Sequence, residues 1–255
     1  KFAGDKIPCC PVAITLAIAD RLDTLVAIFG VGLHPTGSKD PYALRRASLG
    51  LIRIIIESGI DMELDKSIEI VSNELSLSGN VISRETKKLV LTYILDRLNS
   101  YYKEKGFNPK SYNSVAALKL SNLHDIDLRI KAIEKFSLKS DSKKLISANK
   151  RVTNILNKNI QLRKNINVNY FVSDEEKLLF QTIQKIKPVF NEEIRLRSYD
   201  DAFETLLTLH LPLDNFFENV MVMTDDELVR SNRLALIHEL QELFLKVADI
   251  SLMNS

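Results

Sequence analysis

The sequence predicts an all-α protein, and three observations carry that prediction. Glycine and proline are scarce, 8 and 7 among 255 residues, while Leu, Ile, Lys and Glu are abundant, a balance that favours helices. Apolar side chains recur at helical spacing through long windows. Start and stop signals punctuate those windows, among them Asp40-Pro41, Gly59, Ser83 and Gly106.

Taken in order, residues 11–29 read as the first helix, closed by Gly30. It is apolar over most of its circumference, which predicts burial. Asp20 and Asp23 lie three apart and share one face. The stretch from Pro35 to Asp40 reads as a rigid turn, with Gly37 supplying backbone freedom. Asp40 can cap the next helix and Pro41 suits its first position, so a second helix is expected over 40–58. Locally this turn admits two roles, a plain helix start or a cradle for phosphate at a helix N-terminus. It is not a Walker loop, because the GxxxxGK[ST] spacing is missing. Lys39, Arg45, Arg46 and Arg53 follow as candidates for phosphate contact or for structural ion pairs.

Residues 60–77 read as a weakly amphipathic helix, and 83–105 as a long one capped by Ser83 and stopped by Gly106. A domain boundary is placed there, giving parts 1–106 and 107–255. Short helices are expected over 111–117 and 126–136, and a longer one over 141–156. On that last helix Leu145, Ala148, Val152, Ile155 and Leu156 keep helical spacing and predict a core face. Lys143, Lys144, Lys150 and Arg151 lie away from it, as a solvated charged edge or an RNA-facing one, with Asn149 and Asn154 as candidate donors to base edges. Residues 157–172 are Asn- and Lys-rich and read as a loop. Helices are then expected over 174–197 and 198–209, with a short segment over 211–217. Thr224 to Glu227 reads as a capping box opening a final helix to about 252. Arg230 and Arg233 share a face of it, suited to RNA backbone or to internal pairing.

Charge is distributed unevenly behind a net +2. Residues 1–102 carry 12 basic and 12 acidic side chains, residues 103–170 carry 15 and 5, and residues 171–255 carry 8 and 16. The basic middle is the footprint of a polyanion-binding face. No apolar run reaches 18 residues, so no membrane span is indicated. Cys9 and Cys10 are adjacent and cannot build a disulfide framework, which fits a reducing, cytoplasmic compartment. The chain opens at Lys1 rather than Met and reads as part of a longer polypeptide. There is no phosphate loop, no nucleophile–histidine pair and no ligand cluster.

The run Ile18 to Gly30 followed by Pro35 to Arg46 resembles the β subunit of bacterial, two-subunit-type glycyl-tRNA synthetase. That family shows an ALADKLDTLVGIFGIG-like helix and then PTGSKDPFALRR. Ala148 to Leu156, an ANKRVxNIL string, is similar to the same family. Val220 to Leu236 resembles both its C-terminus and the end of the DALR-type anticodon-binding domain of arginyl-tRNA synthetase. Ile18 to Leu22 also resembles the last ligand helix of HD-type phosphohydrolases, in which an aspartate at the position of Asp20 binds metal. With no histidine before Asp20, an active metal site is not expected, and Asp20 and Asp23 are taken as an HD-like structural remnant that holds the Pro35–Asp40 turn.

The resemblance implies the end of an HD-like domain followed by a DALR-type bundle that binds the anticodon arm of glycine tRNA. It places the ATP- and Mg-dependent chemistry with the α subunit of an α2β2 enzyme. It implies no cofactor on this chain, no catalytic residue and no DNA partner. Tyr112, Tyr170 and Phe171 flank the basic segment and are suited to stack on bases or to pack. A different class of role, a helical protein–protein docking module within the synthetase, stays open beside tRNA binding.

Overall fold

A computed structural model of the chain describes residues 6–35, 40–77, 79, 81–158 and 165–253. Among these the regular structure is helical: eleven α-helices, two 3-10 turns and one isolated antiparallel bridge, Glu63 to Asn122. None of these helices is long and apolar enough to cross a membrane. Backbone contacts divide the chain into two compact units, residues to 109 with 120–127, and residues 110–119 with 128–255.

The first unit is built on α1 (Pro11–Gly30), α2 (Leu44–Glu57), α3 (Leu64–Leu77) and α4 (Arg84–Glu104). Helix α1 packs on the other three, and both α2 and α3 pack on α4. Gly50 permits close approach of α1 and α2, because a Cβ there would stand 2.8 Å from Arg21 Nε. The α1 prediction holds for its second half: Leu22, Leu25, Val26 and Phe29 are buried, with Leu25 and Val26 fully so. In the first two turns Val12 and Leu16 are exposed, so the all-round apolar pattern does not mean all-round burial here.

Helix α2 starts at Leu44, four residues later than expected. Pro41 and Tyr42 sit in a turn, and Ala43 takes a left-handed φ of 56°. Asp40 still caps, but across that turn: its carboxylate accepts from Leu44 N (2.8 Å) and Arg45 N (3.0 Å). Helix α3 likewise begins late, at Leu64, because Glu63 is drawn into the bridge to Asn122 and Leu64 N donates to Ser121 O. Ser83 caps α4 as expected, accepting from Thr86 N, and Gly106 closes it at φ 80°.

The second unit holds α7 (Ser142–Asn157), α8 (Asp174–Arg195), α9 (Tyr199–Leu207), α10 (His210–Asn219) and α11 (Glu227–Leu245). Helices α5 (Pro109–Ala116) and α6 (Leu123–Ser137) begin in the first unit's residues and end in the second's. Helix α8 packs on α9, α10 and α11, and α7 packs on α10 and α11. Fully buried Leu145, Val152, Leu179, Ile183, Phe190 and Leu240 fill the space between. Ser173 opens α8 with a capping box, its hydroxyl on Glu176 N and the Glu176 carboxylate on Ser173 N. The final helix differs from the expectation at both ends. Asp226, not Thr224, is the cap, accepting from Leu228 N and Val229 N. The helix stops at Leu245, and a 3-10 turn (Ile250–Met253) ends the described chain.

Candidate nucleic-acid interface

Helix α7 sorts its side chains cleanly. Leu145, Ala148, Val152 and Leu156, at i, i+3, i+7 and i+11, are buried. That spacing fixes the opposite face outward, and Lys143, Lys144, Arg151 and Asn154 are exposed there, with Lys150 half-buried. Lys143, Ser147, Lys150, Asn154 and Lys158 follow one another by three or four residues, so they form a continuous stripe.

The stripe borders a shallow, open groove of about 560 Å³. Six of its lining residues come from this helix and its C-cap: Ser147, Lys150, Arg151, Asn154, Ile155 and Lys158. The other wall is Met223, from the segment between α10 and α11. Its chemistry is mixed: three cations, two hydrogen-bonding side chains and two apolar ones.

Arg151 is held in place. Its guanidinium lies over the Phe217 ring at 4.4 Å and reaches the Phe217 carbonyl at 3.4 Å. Elsewhere in the unit the basic segment is partly neutralised, since Lys135 pairs with Asp200 and Lys139 with Glu204 on α9. Among the described residues Lys143, Lys144, Lys150, Arg151 and Lys158 make no such pair. Three of these five cations, Lys150, Arg151 and Lys158, line the groove.

Three candidates end up elsewhere. Asn149 is 1% exposed on the core side of α7, one residue out of phase with the stripe, so it offers nothing to a base edge. Its Oδ1 has no hydrogen-bond partner among the described residues. Arg233 is buried against Glu176, with Nε to Oε1 at 2.7 Å, and donates to Met221 O at 2.9 Å. Burial pushes the Glu176 carboxyl up, but the Arg233 guanidinium and the Ser173 and Val172 N–H groups outweigh it and hold the group below its usual range. Arg230 is half-buried and donates to Thr224 O at 2.7 Å.

Among the described residues the first-unit candidates form no comparable face. Lys39 lies outside the described residues. Arg46 is exposed, Arg45 is half-buried, and Arg53 pairs with Glu57 at 3.1 Å. Asp20 and Asp23 are exposed, with Asp20 at 4.0 Å from Arg21. Among the described residues no three His, Cys, Asp or Glu side chains converge as metal ligands. Of the aromatic candidates, Phe171 packs on Phe180 at 5.4 Å, and Tyr112 and Tyr170 are half-buried.

Sequence reasoning missed Ser147, Lys158, Phe217 and Met223. The first two were legible, since they continue the lysine stripe at helical spacing. Met223 had a weaker signal, the alternation Val220-Met221-Val222-Met223, which the structure resolves into buried valines and exposed methionines.

Two family models match this chain. Residues 1–117 match the one described as glycyl-tRNA synthetase beta subunit, and residues 145–251 the one described as DALR anticodon binding domain. Among curated proteins, the glycine–tRNA ligase beta subunits of Escherichia coli O9:H4 (strain HS), strain K12 and O1:K1 / APEC are each 40% identical over 263 aligned residues. Each alignment covers all of this chain but 37% of the relative, so the chain spans little more than a third of the proteins it matches.

Proposed function

We propose, from this likeness along its whole length to part of the glycine–tRNA ligase beta subunit, that the chain is a tRNA-binding region of such an enzyme. It would recognise the anticodon arm of glycine tRNA. One observation carries the reading: the cationic groove on α7 falls inside the residues similar to an anticodon-binding domain. In this reading 107–255 is the anticodon-binding part and 1–106 the end of an HD-like helical part, in which Asp20 and Asp23 are structural.

The groove chemistry suits an unpaired RNA loop. Lys150, Arg151 and Lys158 supply phosphate contacts, which give affinity that falls with salt. Asn154 and Ser147 can meet base edges, and Met223 and Ile155 offer apolar surface to a base face. Lys143 and Lys144 extend the positive edge toward the start of α7. Activation of glycine, with ATP and Mg, is assigned to the α subunit of a cytoplasmic α2β2 assembly. This chain contributes tRNA affinity and discrimination.

The test is the double variant Lys150→Ala with Arg151→Ala. Each phosphate contact to a single strand contributes about 0.7 to the slope of log affinity against log salt, so the pair should lower it by about 1.4. Circular dichroism should stay near that of the unaltered protein, with the melting temperature lower by no more than a few degrees for the lost Arg151–Phe217 contact. Unchanged affinity at low salt would sink the reading.

A further inference from the structure

Two arginines at the start of α11 act on backbone rather than on solvent. Arg230 donates to Thr224 O at 2.7 Å, and Arg233 donates to Met221 O at 2.9 Å. The two are three apart and leave the same side of the helix. They hold the carbonyls at both ends of a four-residue stretch. Arg233 is itself fixed, because Glu176 accepts from its Nε at 2.7 Å and from Val172 N and Ser173 N at 2.8 Å each. Between the two holds Val222 is buried, while Met223 turns outward at 48% exposure and lines the groove beside Lys150, Arg151 and Asn154.

We propose that Arg230 and Arg233 are positioning residues for the groove: they clamp the 221–224 backbone so that Met223 stands as an apolar wall facing the cationic edge of α7. The proposal rests on the tRNA-binding reading and deepens it by dividing labour between the two walls. The α7 cations attract phosphate whatever the base. A fixed thioether opposite them presents polarizable surface to the face of an unstacked base, and its position limits which base can lie flat against Asn154. Loosening the clamp should therefore reduce discrimination and leave the salt dependence intact.

The test uses Arg230→Gln, Arg233→Lys and Met223→Ala in the full-length beta subunit. Arg230 is half-buried and, among the described residues, bonds to its own loop, so its variant keeps the experiment informative if the buried Arg233 variant folds poorly. Two quantities are measured: the rate of thermolysin cleavage within 220–224 of the free protein, read by mass spectrometry, and affinity for glycine tRNA and for the same tRNA with a replaced anticodon across a salt series. In both arginine variants that cleavage should be at least tenfold faster, since the bonds lost hold backbone carbonyls. In all three variants the preference for the unaltered anticodon should fall at least threefold, with the salt slope unchanged. Unchanged cleavage in both arginine variants would overturn the clamp. A salt slope lowered by about 0.7, with equal losses for both tRNAs, would overturn it differently, by making the arginines phosphate ligands. If the unaltered protein binds neither tRNA, the function proposed above fails, and the cleavage rates still decide whether the clamp exists.

Discussion

Glu176 and Arg233 show how one pair of side chains can be decisive. Both are buried, the carboxylate completely, and every oxygen of Glu176 is engaged by Arg233 or by the α8 N-terminus. Removing one partner leaves a buried charge uncompensated, which costs about 3–5 kcal/mol. Arg233→Met should therefore lower the melting temperature by roughly 10 °C, at about 2–4 °C per kcal/mol for a chain this size, as calorimetry would read. The pH dependence follows from the direction of the Glu176 shift. Its carboxyl titrates lower in the folded state than in the unfolded chain, so between the two values the unfolded chain binds more protons. Its stabilisation is thus complete above the ordinary glutamate range, near 4.3, and is lost as pH falls through the lower folded value. Urea midpoints measured from pH 6 to pH 3 should show this decline, and Glu176→Gln should flatten it.

Helices were the most legible level, and their ends were the least. The apolar spacing of α7 marked its inward face, and Ser83 and Gly106 marked the ends of α4. The late starts have separate causes, a cap made across a turn at α2 and a backbone bridge to a distant segment at α3. Asp40 reaches over a turn to Leu44 and Arg45, and Glu63 bridges to Asn122, 59 positions along the chain. At α11 two aspartates and a threonine compete for one cap, and Asp226 takes it. Asp226→Ala should cost about 1 kcal/mol, seen as a small drop in the urea midpoint. Asp225→Ala should cost much less, since its carboxylate caps nothing. Asn149 was misassigned by a single position. At 100° per residue, one step carries a side chain from the charged edge of α7 into the core.

At the scale of the whole molecule, the uneven charge in the sequence marks a basic segment but not a face. Of the basic residues in 103–170, Lys135 and Lys139 are consumed by pairs with α9, while the α7 stripe is left to solvent. That sorting depends on which acidic helix packs where, and composition cannot reveal it. The apolar wall opposite the stripe comes from a segment about 70 residues later, so it too was beyond local reading. The measurement closest to the central claim is fluorescence anisotropy of labelled glycine tRNA with this protein across a salt series, repeated with a replaced anticodon. The account predicts affinity that falls steeply with salt and is weaker, at every salt concentration, for the replaced anticodon. Absence of binding at low salt, or equal affinity for the two tRNAs, would contradict it.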